Sequence, residues 1–241
     1  MAPILEVINL SKSFGGLTAV KNVGFDLEEG RILGIIGPNG AGKTTLFNLI
    51  SGTMKPDCGT ITFKGRDITR NRGDAICRHG IVRTFQIVKP FAKLSTLHNV
   101  VIGRLYGRAP SPDIGQAMQE ALDLLNFVGL GRRRDVAAHN LTFAECKKLE
   151  LARALATKPY LILLDEMMAG LTPVETENAM QLVSQIRAGG VTVILVEHVM
   201  KVVLGICDRV IVLNYGEKIA EGDPREVTSD PKVIESYLGR N

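Results

Sequence analysis

The chain has 241 residues, of which 45% are hydrophobic and 22% are charged. This balance is typical of a globular protein with a real core, either one large domain or one domain with a sizeable insertion. The net charge of +4 is small, and the basic residues are scattered apart from the short run Arg132-Arg133-Arg134. We therefore expect no nucleic-acid partner.

The cysteines and the apolar runs argue against a disulfide-bonded, metal-binding, secreted or membrane-spanning protein. The four cysteines have no C-x-x-C pairing and no histidine lies at metal-ligand spacing, so reduced thiols in a cytosolic protein are expected. The N-terminal stretch has no basic region followed by a long apolar run, which predicts no signal peptide. Apolar runs stay short of the ~20 residues that a membrane helix needs, so a membrane role would require a partner.

The chain begins with two predicted short strands at residues 4–8 and 23–27, separated by a turn at Gly15-Gly16. Phe14 precedes this turn. Its position fits a strand-edge residue that fills the core, and it fits equally an aromatic ring that stacks on adenine.

Residues 37–45, GPNGAGKTT, match the phosphate-loop pattern G-x-x-x-x-G-K-[ST] between an apolar run and a helix-like segment. Glycines let successive backbone N–H groups point at one phosphate, and the following helix adds its positive end. Lys43 would reach the β- and γ-phosphates, and the Thr44 hydroxyl would bind Mg²⁺. The predicted nucleotide-binding residues of this loop are Gly37, Pro38, Asn39, Gly40, Ala41, Gly42, Lys43, Thr44 and Thr45.

The middle of the chain changes character after IVRTFQ, which ends in Gln86. Turn-forming prolines break up residues 87–140, and residues 113–130 carry apolar side chains at helical spacing. We expect about 87–140 to form a helical subdomain inserted in a core made of 1–86 and 141–241. Gln86, a polar residue at a strand end, could coordinate Mg²⁺ or the attacking water.

A helix is predicted from Thr142 to Pro159, with Thr142 and Glu145 spaced as a capping box. That structural role is an alternative to a functional role for both residues. Residues 208–223 predict a hairpin with a turn at residues 214–216, and a short helix closes the chain.

Two buried-strand patterns, at residues 160–166 and 191–198, end in polar residues. The alternation of such strands with helices predicts an α/β fold with a phosphate loop, in which ligands bind at the carboxyl ends of the parallel strands. Asp165 could hold Mg²⁺ through water, Glu166 could activate the attacking water, and His198 could contact the γ-phosphate. A structural salt bridge for the acids and a core position for the histidine are the alternatives.

These residues in this order resemble the ATP-binding cassette (ABC) ATPase family over nearly the whole chain. The resemblance implies a P-loop NTPase core with an antiparallel β subdomain and a helical subdomain. It implies adenine stacking on Phe14, a Q-loop glutamine at Gln86, a signature motif beginning at Leu141, catalysis by Glu166 and a switch histidine at His198. The segments FGGLTAVKNV, RTFQ, VEHVMKVV and YGEKIAEGDP look like ATPase subunits of branched-chain amino acid importers.

The family resemblance also implies partners and a location. ATP would lie between two ATPase subunits, identical or paralogous, with Thr142 and Ala144 of one subunit facing the ATP of the other. Dimer closure would move separate integral membrane permease subunits. A periplasmic or surface substrate-binding protein would deliver the transported molecule to that permease. The chain would then sit in the cytoplasm, on the inner face of the membrane.

Two positions depart from the family pattern. Ala144 stands where the signature has glycine, which is tolerated if φ is negative and strained if φ must be positive. Thr172 replaces the usual acid of the D-loop, residues 169–173. Urea or amide uptake, lipid export, and a soluble non-transport ABC ATPase remain alternatives, as does a kinase built on the same loop.

Overall fold

The computed structural model describes residues 2–84 and 90–238. The strands in this part of the chain are β1 (Leu5–Phe14), β2 (Leu17–Leu27), β3 (Ile32–Ile36), β4 (Cys58–Phe63), β5 (Arg66–Asp67), β6 (Ile81–Arg83), β7 (Leu161–Asp165), β8 (Thr192–Val196), β9 (Arg209–Asn214) and β10 (Glu217–Gly222). The helices are α1 (Lys43–Ile50), α2 (Gly73–His79), α3 (Thr96–Tyr106), α4 (Ile114–Phe127), α5 (Phe143–Ala156), α6 (Pro173–Ala188), α7 (Met200–Ile206), α8 (Pro224–Ser229) and α9 (Pro231–Leu238).

The main sheet has the strand order β10-β9-β3-β8-β7-β6, and β10 is its antiparallel member. The other neighbouring strands pair in parallel. Every residue of β3, β7 and β8 is buried, as expected for parallel strands covered on both faces. Val196 pairs with both Ile35 and Asp165, so β3, β7 and β8 end at the same edge of the sheet.

The smaller sheet is antiparallel, with the order β2-β1-β4-β5. Helix α1 contributes Leu46 and Phe47 to one apolar cluster that also contains Val7 of β1 and Ile35 of β3. A second cluster joins α3, α4, α5 and α6 to β7 and β8. Helix α1 therefore packs against both sheets, and this packing fixes the position of the phosphate loop before it.

The structure confirms the element types predicted from local pattern and changes several boundaries. The turn at Gly15-Gly16 is present, but the strands on either side of it continue to the turn instead of ending at residue 8 and starting at residue 23. The predicted helix at 113–130 is α4, residues 114–127, and the closing helix is two short helices with a break at Asp230. In residues 2–84 and 90–238, no helix combines the length and apolarity needed to cross a membrane.

Three helices, α2, α3 and α7, are not predicted from the sequence because their patterns are weak. Helix α2 begins with a glycine, and α7 has seven residues, so neither gives a long periodic signal. Helix α3 lies in the proline-interrupted stretch and is started by Ser95, whose side chain accepts a hydrogen bond from the His98 amide. Helices α3 and α4 both fall within the 87–140 segment for which a helical subdomain is predicted.

Candidate functional site

The phosphate loop follows β3 directly, and its backbone requires glycine at two positions. Gly37 has φ 147° and a Cβ there would lie 2.1 Å from the Leu213 carbonyl oxygen. Gly42 has φ 104° and a Cβ there would lie 2.2 Å from the Ala19 carbonyl oxygen. Glycine is therefore needed for conformation and for space, and the loop is clamped between neighbouring backbones.

Lys43 starts α1 and folds back across the loop. Its Nζ donates to the carbonyl oxygens of Gly37 at 2.7 Å and Pro38 at 2.9 Å, and the residue is buried. Burial lowers the pKa of Lys43, while the nearby charges of Glu166 and Asp165 act in the opposite direction. The ammonium is thus held over the loop and is near the two acids at the end of β7. Thr44, the next residue, is exposed.

Asp165 and Glu166 stand at the carboxyl end of β7, on the same edge as the phosphate loop. Asp165 is 3% exposed. Glu166 has φ 48°, and its amide donates to the Val196 carbonyl at 3.0 Å, which fixes the turn after β7 to β8. The Lys147 ammonium donates to the Glu166 carbonyl at 2.9 Å.

Arg83 is a member of this site that the sequence reasoning did not identify. Its guanidinium donates to Asp165 Oδ2 at 2.7 Å and to Asn48 Oδ1 in α1 at 2.5 Å. The structural alternative for the acid pair, a buried salt bridge, is therefore real for Asp165. Gln86, three residues after Arg83, lies outside the described residues.

His198 follows β8 at the same edge and is exposed, so the alternative of a core histidine does not hold. Glu197, the residue before it, is 1% exposed and accepts a hydrogen bond from the Met168 amide at 2.9 Å. Burial raises the pKa of Glu197, and the Met168 amide and His198 act against that shift. Glu197 was also missed, although a glutamate that follows a wholly buried strand is a usable signal.

Phe14 ends β1, and 46% of its surface is exposed. The core-filling alternative therefore does not hold. Lys12 lies 5.8 Å from the ring centroid, within cation–π range. An exposed aromatic ring beside the β1–β2 turn is available for stacking, and its contact with adenine stays a prediction.

The segment from Leu141 starts helix α5 with the predicted capping box. The Glu145 amide donates to Thr142 Oγ1 at 3.3 Å, and the Thr142 amide donates to Glu145 Oε2 at 2.9 Å. Ala144 is the second residue of this helix and is not among the residues with positive φ. The condition under which alanine fits is met, so Ala144 introduces no backbone strain.

Thr172 has a structural role that the sequence reasoning did not assign. It is the N-cap of α6, and a second capping box joins it to Glu175, whose amide donates to Thr172 Oγ1 at 3.3 Å. The Thr172 amide donates to Glu175 Oε2 at 2.8 Å. Because aspartate and threonine both serve as N-caps, the departure from the family acid preserves the start of this helix.

The predicted site residues fall into two clefts. Thr44 and Asp165 line a cavity of about 650 Å³ together with Arg83. Thr142 and Ala144 line another cavity, of about 350 Å³, between α4, α5 and α6. The strand ends bring the phosphate loop, the acids and His198 to one edge, whereas the segment at the start of α5 belongs to a different cleft of the same chain.

Comparison with known families identifies two matching regions. Residues 20–169 match a family described as "ABC transporter". Residues 217–241 match a family described as "Branched-chain amino acid ATP-binding cassette transporter".

Relatives with a descriptive name match along almost the whole length of the chain. The high-affinity branched-chain amino acid transport ATP-binding protein LivG of Salmonella typhimurium is 41% identical over 98% of each chain. The protein of the same description from Pseudomonas aeruginosa, BraF, is 38% identical over 98% of each chain.

Solved structures agree with the fold. The ADP conformation of MJ1267, an ATP-binding cassette of an ABC transporter, has a TM-score of 0.91 and 35% identity, covering 100% of both chains. A dimeric post-hydrolysis state of the ATP-binding cassette MJ0796, bound to ADP and Pi, has a TM-score of 0.82 and 27% identity. It covers 92% of this chain and 99% of the MJ0796 chain.

Proposed function

The chain belongs to the ABC transporter family of ATP-binding proteins, and on that premise we propose that it is the ATPase subunit of a branched-chain amino acid importer. The observation that carries the proposal is the shared edge of β3, β7 and β8, where the phosphate loop, Glu166 and His198 follow three neighbouring buried strands. The full-length likeness to LivG and BraF supports the choice of transported molecule. It also argues against the kinase and soluble ATPase alternatives.

Within this proposal, each side chain has a role that its position supports. The backbone N–H groups of residues 37–45 and the Lys43 ammonium would bind the β- and γ-phosphates. Glu166 would accept a proton from the attacking water, and His198 would contact the γ-phosphate. Phe14 would stack on adenine, since its ring is exposed beside the loop that follows β1. Gln86 would contact Mg²⁺ or the water.

The residues around Thr44 and Asp165 fit a Mg²⁺ ion. Both line one cavity, and a hydroxyl and a carboxylate are the hard oxygen ligands that Mg²⁺ takes in phosphate sites. Mg²⁺ at such sites binds through one or two protein oxygens plus phosphate oxygens and water, and this pair of residues would supply the protein oxygens. Bound Mg²⁺ would neutralise charge on the phosphates.

A second ATPase subunit, identical or paralogous, would complete the site. Thr142 and Ala144 line a cleft apart from the Thr44 cavity, which supports a role toward the ATP of another subunit. The first-turn amides of α5 are suited to phosphate, since helix N-termini carry N–H groups without intrahelical acceptors. The dimeric state of the related cassette MJ0796 supports this assembly.

Integral membrane permease subunits would be the other partners, and they would hold the chain at the cytoplasmic face of the membrane. The 650 Å³ cavity extends from Asp165 to Phe91 and Tyr106, whose side chains are 45% and 75% exposed. This side, which follows Gln86 in the chain, would receive the permease. A substrate-binding protein outside the membrane would act through that permease.

Two measurements test the proposal. The purified chain should hydrolyse ATP with a requirement for Mg²⁺, and Lys43→Ala should abolish nucleotide binding while the protein stays folded. A tagged chain expressed in its source cells should co-purify with an integral membrane protein, and the resulting complex should support uptake of radiolabelled leucine. Absence of Mg²⁺-dependent hydrolysis would contradict the ATPase role. Hydrolysis without leucine uptake, but with uptake of urea or an amide, would reassign the transported molecule.

A further inference from the structure

Lys147 is a buried lysine that the nucleotide chemistry proposed above does not use. It lies on α5, and the residue is 6% exposed. A buried ammonium is costly unless its charge and its donors are compensated. Here the ammonium donates to a backbone atom, the Glu166 carbonyl oxygen, at 2.9 Å. The ring of Phe143, at the start of the same helix, lies with its centroid 5.0 Å from the ammonium.

Glu197 supplies a buried acid on the other side of the same turn. It follows β8, is 1% exposed, and accepts from the Met168 amide through Oε1 at 2.9 Å. Its other oxygen, Oε2, has no hydrogen-bond partner within residues 2–84 and 90–238. The charge of Glu197 favours the protonated form of Lys147 and raises its pKa, against the larger lowering by burial. The two residues therefore stabilise each other's charged forms.

The turn between these two contacts begins with Glu166, whose φ of 48° is in the left-handed region. Such a conformation is strained for a residue other than glycine and persists where the surrounding contacts determine it. The contacts here come from two different elements. Helix α5 holds the carbonyl of Glu166, and the end of β8 holds the amide of Met168, two residues later.

We propose that Lys147 and Glu197 are positioning residues that hold the Glu166 turn, and that Lys147 ties the signature helix to the hydrolytic carboxylate of its own subunit. This inference rests on the proposed ATPase function. Thr142 and Ala144 stand at the start of α5, one turn before Lys147. When the start of α5 binds the ATP of a partner subunit, the Lys147 ammonium therefore transmits this contact to the orientation of Glu166. Hydrolysis then proceeds only when the start of α5 is bound to that ATP.

The test compares kcat with ATP affinity in matched variants. Lys147→Met removes the donor and keeps the length of the side chain, Lys147→Arg keeps a donor, and Lys232→Met is the control on an exposed lysine of α9. We expect Lys147→Met to lower kcat about 10-fold or more, with KM and the Kd for ATP within about 2-fold of the original chain. Lys147→Arg should recover most of kcat, and Lys232→Met should change neither constant.

Variants of Glu197 provide a second, independent test, which remains valid if the Lys147 variants fail to fold. Glu197→Gln keeps an amide-accepting oxygen for Met168, whereas Glu197→Ala removes it. The proposal requires kcat to fall in the order original chain, Gln, Ala, again at nearly constant ATP affinity. Adding Lys147→Met to Glu166→Gln should lower the single-turnover rate no further, because residues that act through one group are not additive.

The outcomes separate the two proposals. If the original chain lacks Mg²⁺-dependent ATPase activity, the proposed function fails. If the original chain is active and Lys147→Met keeps kcat within about 2-fold, the positioning role is overturned while the proposed function stands. Equal losses of kcat, ATP affinity and thermal stability in Lys147→Arg and Glu197→Gln would overturn it as well, since they would indicate a role only in folding.

Discussion

Arg83 Nη2 lies 2.7 Å from Asp165 Oδ2, and the two side chains are 6% and 3% exposed. The same guanidinium donates to Asn48 and lies 5.6 Å from the centroid of the Phe47 ring, both in α1. One arginine therefore joins β6, the helix after the phosphate loop and the acid at the end of β7. These contacts of Arg83 fix the position of Asp165, the proposed Mg²⁺ ligand, in the buried core.

Breaking this pair should strongly destabilise the fold. Arg83→Met leaves the Asp165 carboxylate buried without its guanidinium, and removal of one partner of a buried ion pair costs about 3–5 kcal/mol. Urea unfolding at pH 7 should measure this loss, and adding Asp165→Asn should recover part of it. Arg78→Met is the matched control because the Arg78–Asp74 pair is exposed, and an exposed pair is worth about 0–1 kcal/mol. Equal losses in Arg83→Met and Arg78→Met would contradict the buried network.

Glu120 should make stability depend on acid pH. Its carboxylate accepts from Arg104 of α3 at 2.6 Å and pairs with Lys158 at 3.0 Å, and these contacts lower the pKa of Glu120 from 4.5 to about 2. Because the folded-state pKa is the lower one, the stabilisation is complete above pH 4.5 and is lost as the pH falls toward 2. The side chain is partly exposed, so we expect about 1–2 kcal/mol at pH 7.

The measurement for Glu120 is the difference in unfolding free energy between the original chain and Glu120→Gln. This difference should be constant from pH 7 to 5 and should shrink below pH 4.5. Glu217→Gln, which removes the exposed pair with Lys21, is the control and should give a small difference at every pH. A difference that grows on acidification would refute the expected sign.

Thr172 should tolerate the acid that the family usually has at this position. As the N-cap of α6, Thr172 accepts from the Glu175 amide, and aspartate caps a helix at least as well as threonine. Thr172→Asp should therefore keep the unfolding free energy within about 0.5 kcal/mol, whereas Thr172→Ala should lower it by about 1 kcal/mol. Thermal melts of both variants test this. A larger loss in Thr172→Asp than in Thr172→Ala would count against the capping role.

Ala144→Gly should not raise ATPase activity. Ala144 is helical, so no strain exists for glycine to release. Glycine costs up to about 1 kcal/mol relative to alanine in a helix, and less in the first turn. We expect a slightly lower melting temperature and an ATPase rate equal to that of the original chain. An increase of several-fold in the rate would mean that the Ala144 methyl group obstructs the partner's ATP.

The sequence was a good guide where the structure is specified by neighbouring residues. The phosphate loop depends on Gly37 and Gly42, whose conformations and close approaches need glycine at those positions. The buried strands β7 and β8 are mostly apolar runs. Asp165 ends β7 and Glu166 follows it, and His198 lies two residues after the end of β8. Such features need no knowledge of the rest of the fold, so they were predictable.

Contacts between distant parts of the chain were not predictable in this way. Arg83 and Asp165 are 82 residues apart, Lys147 and Glu166 are 19 apart, and Met168 and Glu197 are 29 apart. A charged residue at the end of an apolar strand, or on the buried face of a helix, signals that a partner exists. Only the packing of β6, α5 and β8 against β7 determines which partner it is.

Glu166→Gln should separate ATP binding from hydrolysis. The amide keeps the size of the side chain and leaves the contacts of the Glu166 backbone with Val196 and Lys147 unchanged, so the turn should stay in place. Without a carboxylate to accept the proton of the attacking water, the hydrolysis rate should fall at least about 100-fold, within the range of a lost general base. The affinity for ATP should be retained.

Light scattering during gel filtration should detect a dimer that forms with ATP and not with ADP. Glu177→Gln, on an exposed face of α6, is the control. Turnover at the original rate in Glu166→Gln would remove Glu166 from the base role. A variant that neither binds ATP nor dimerises would show instead that the carboxylate maintains the site.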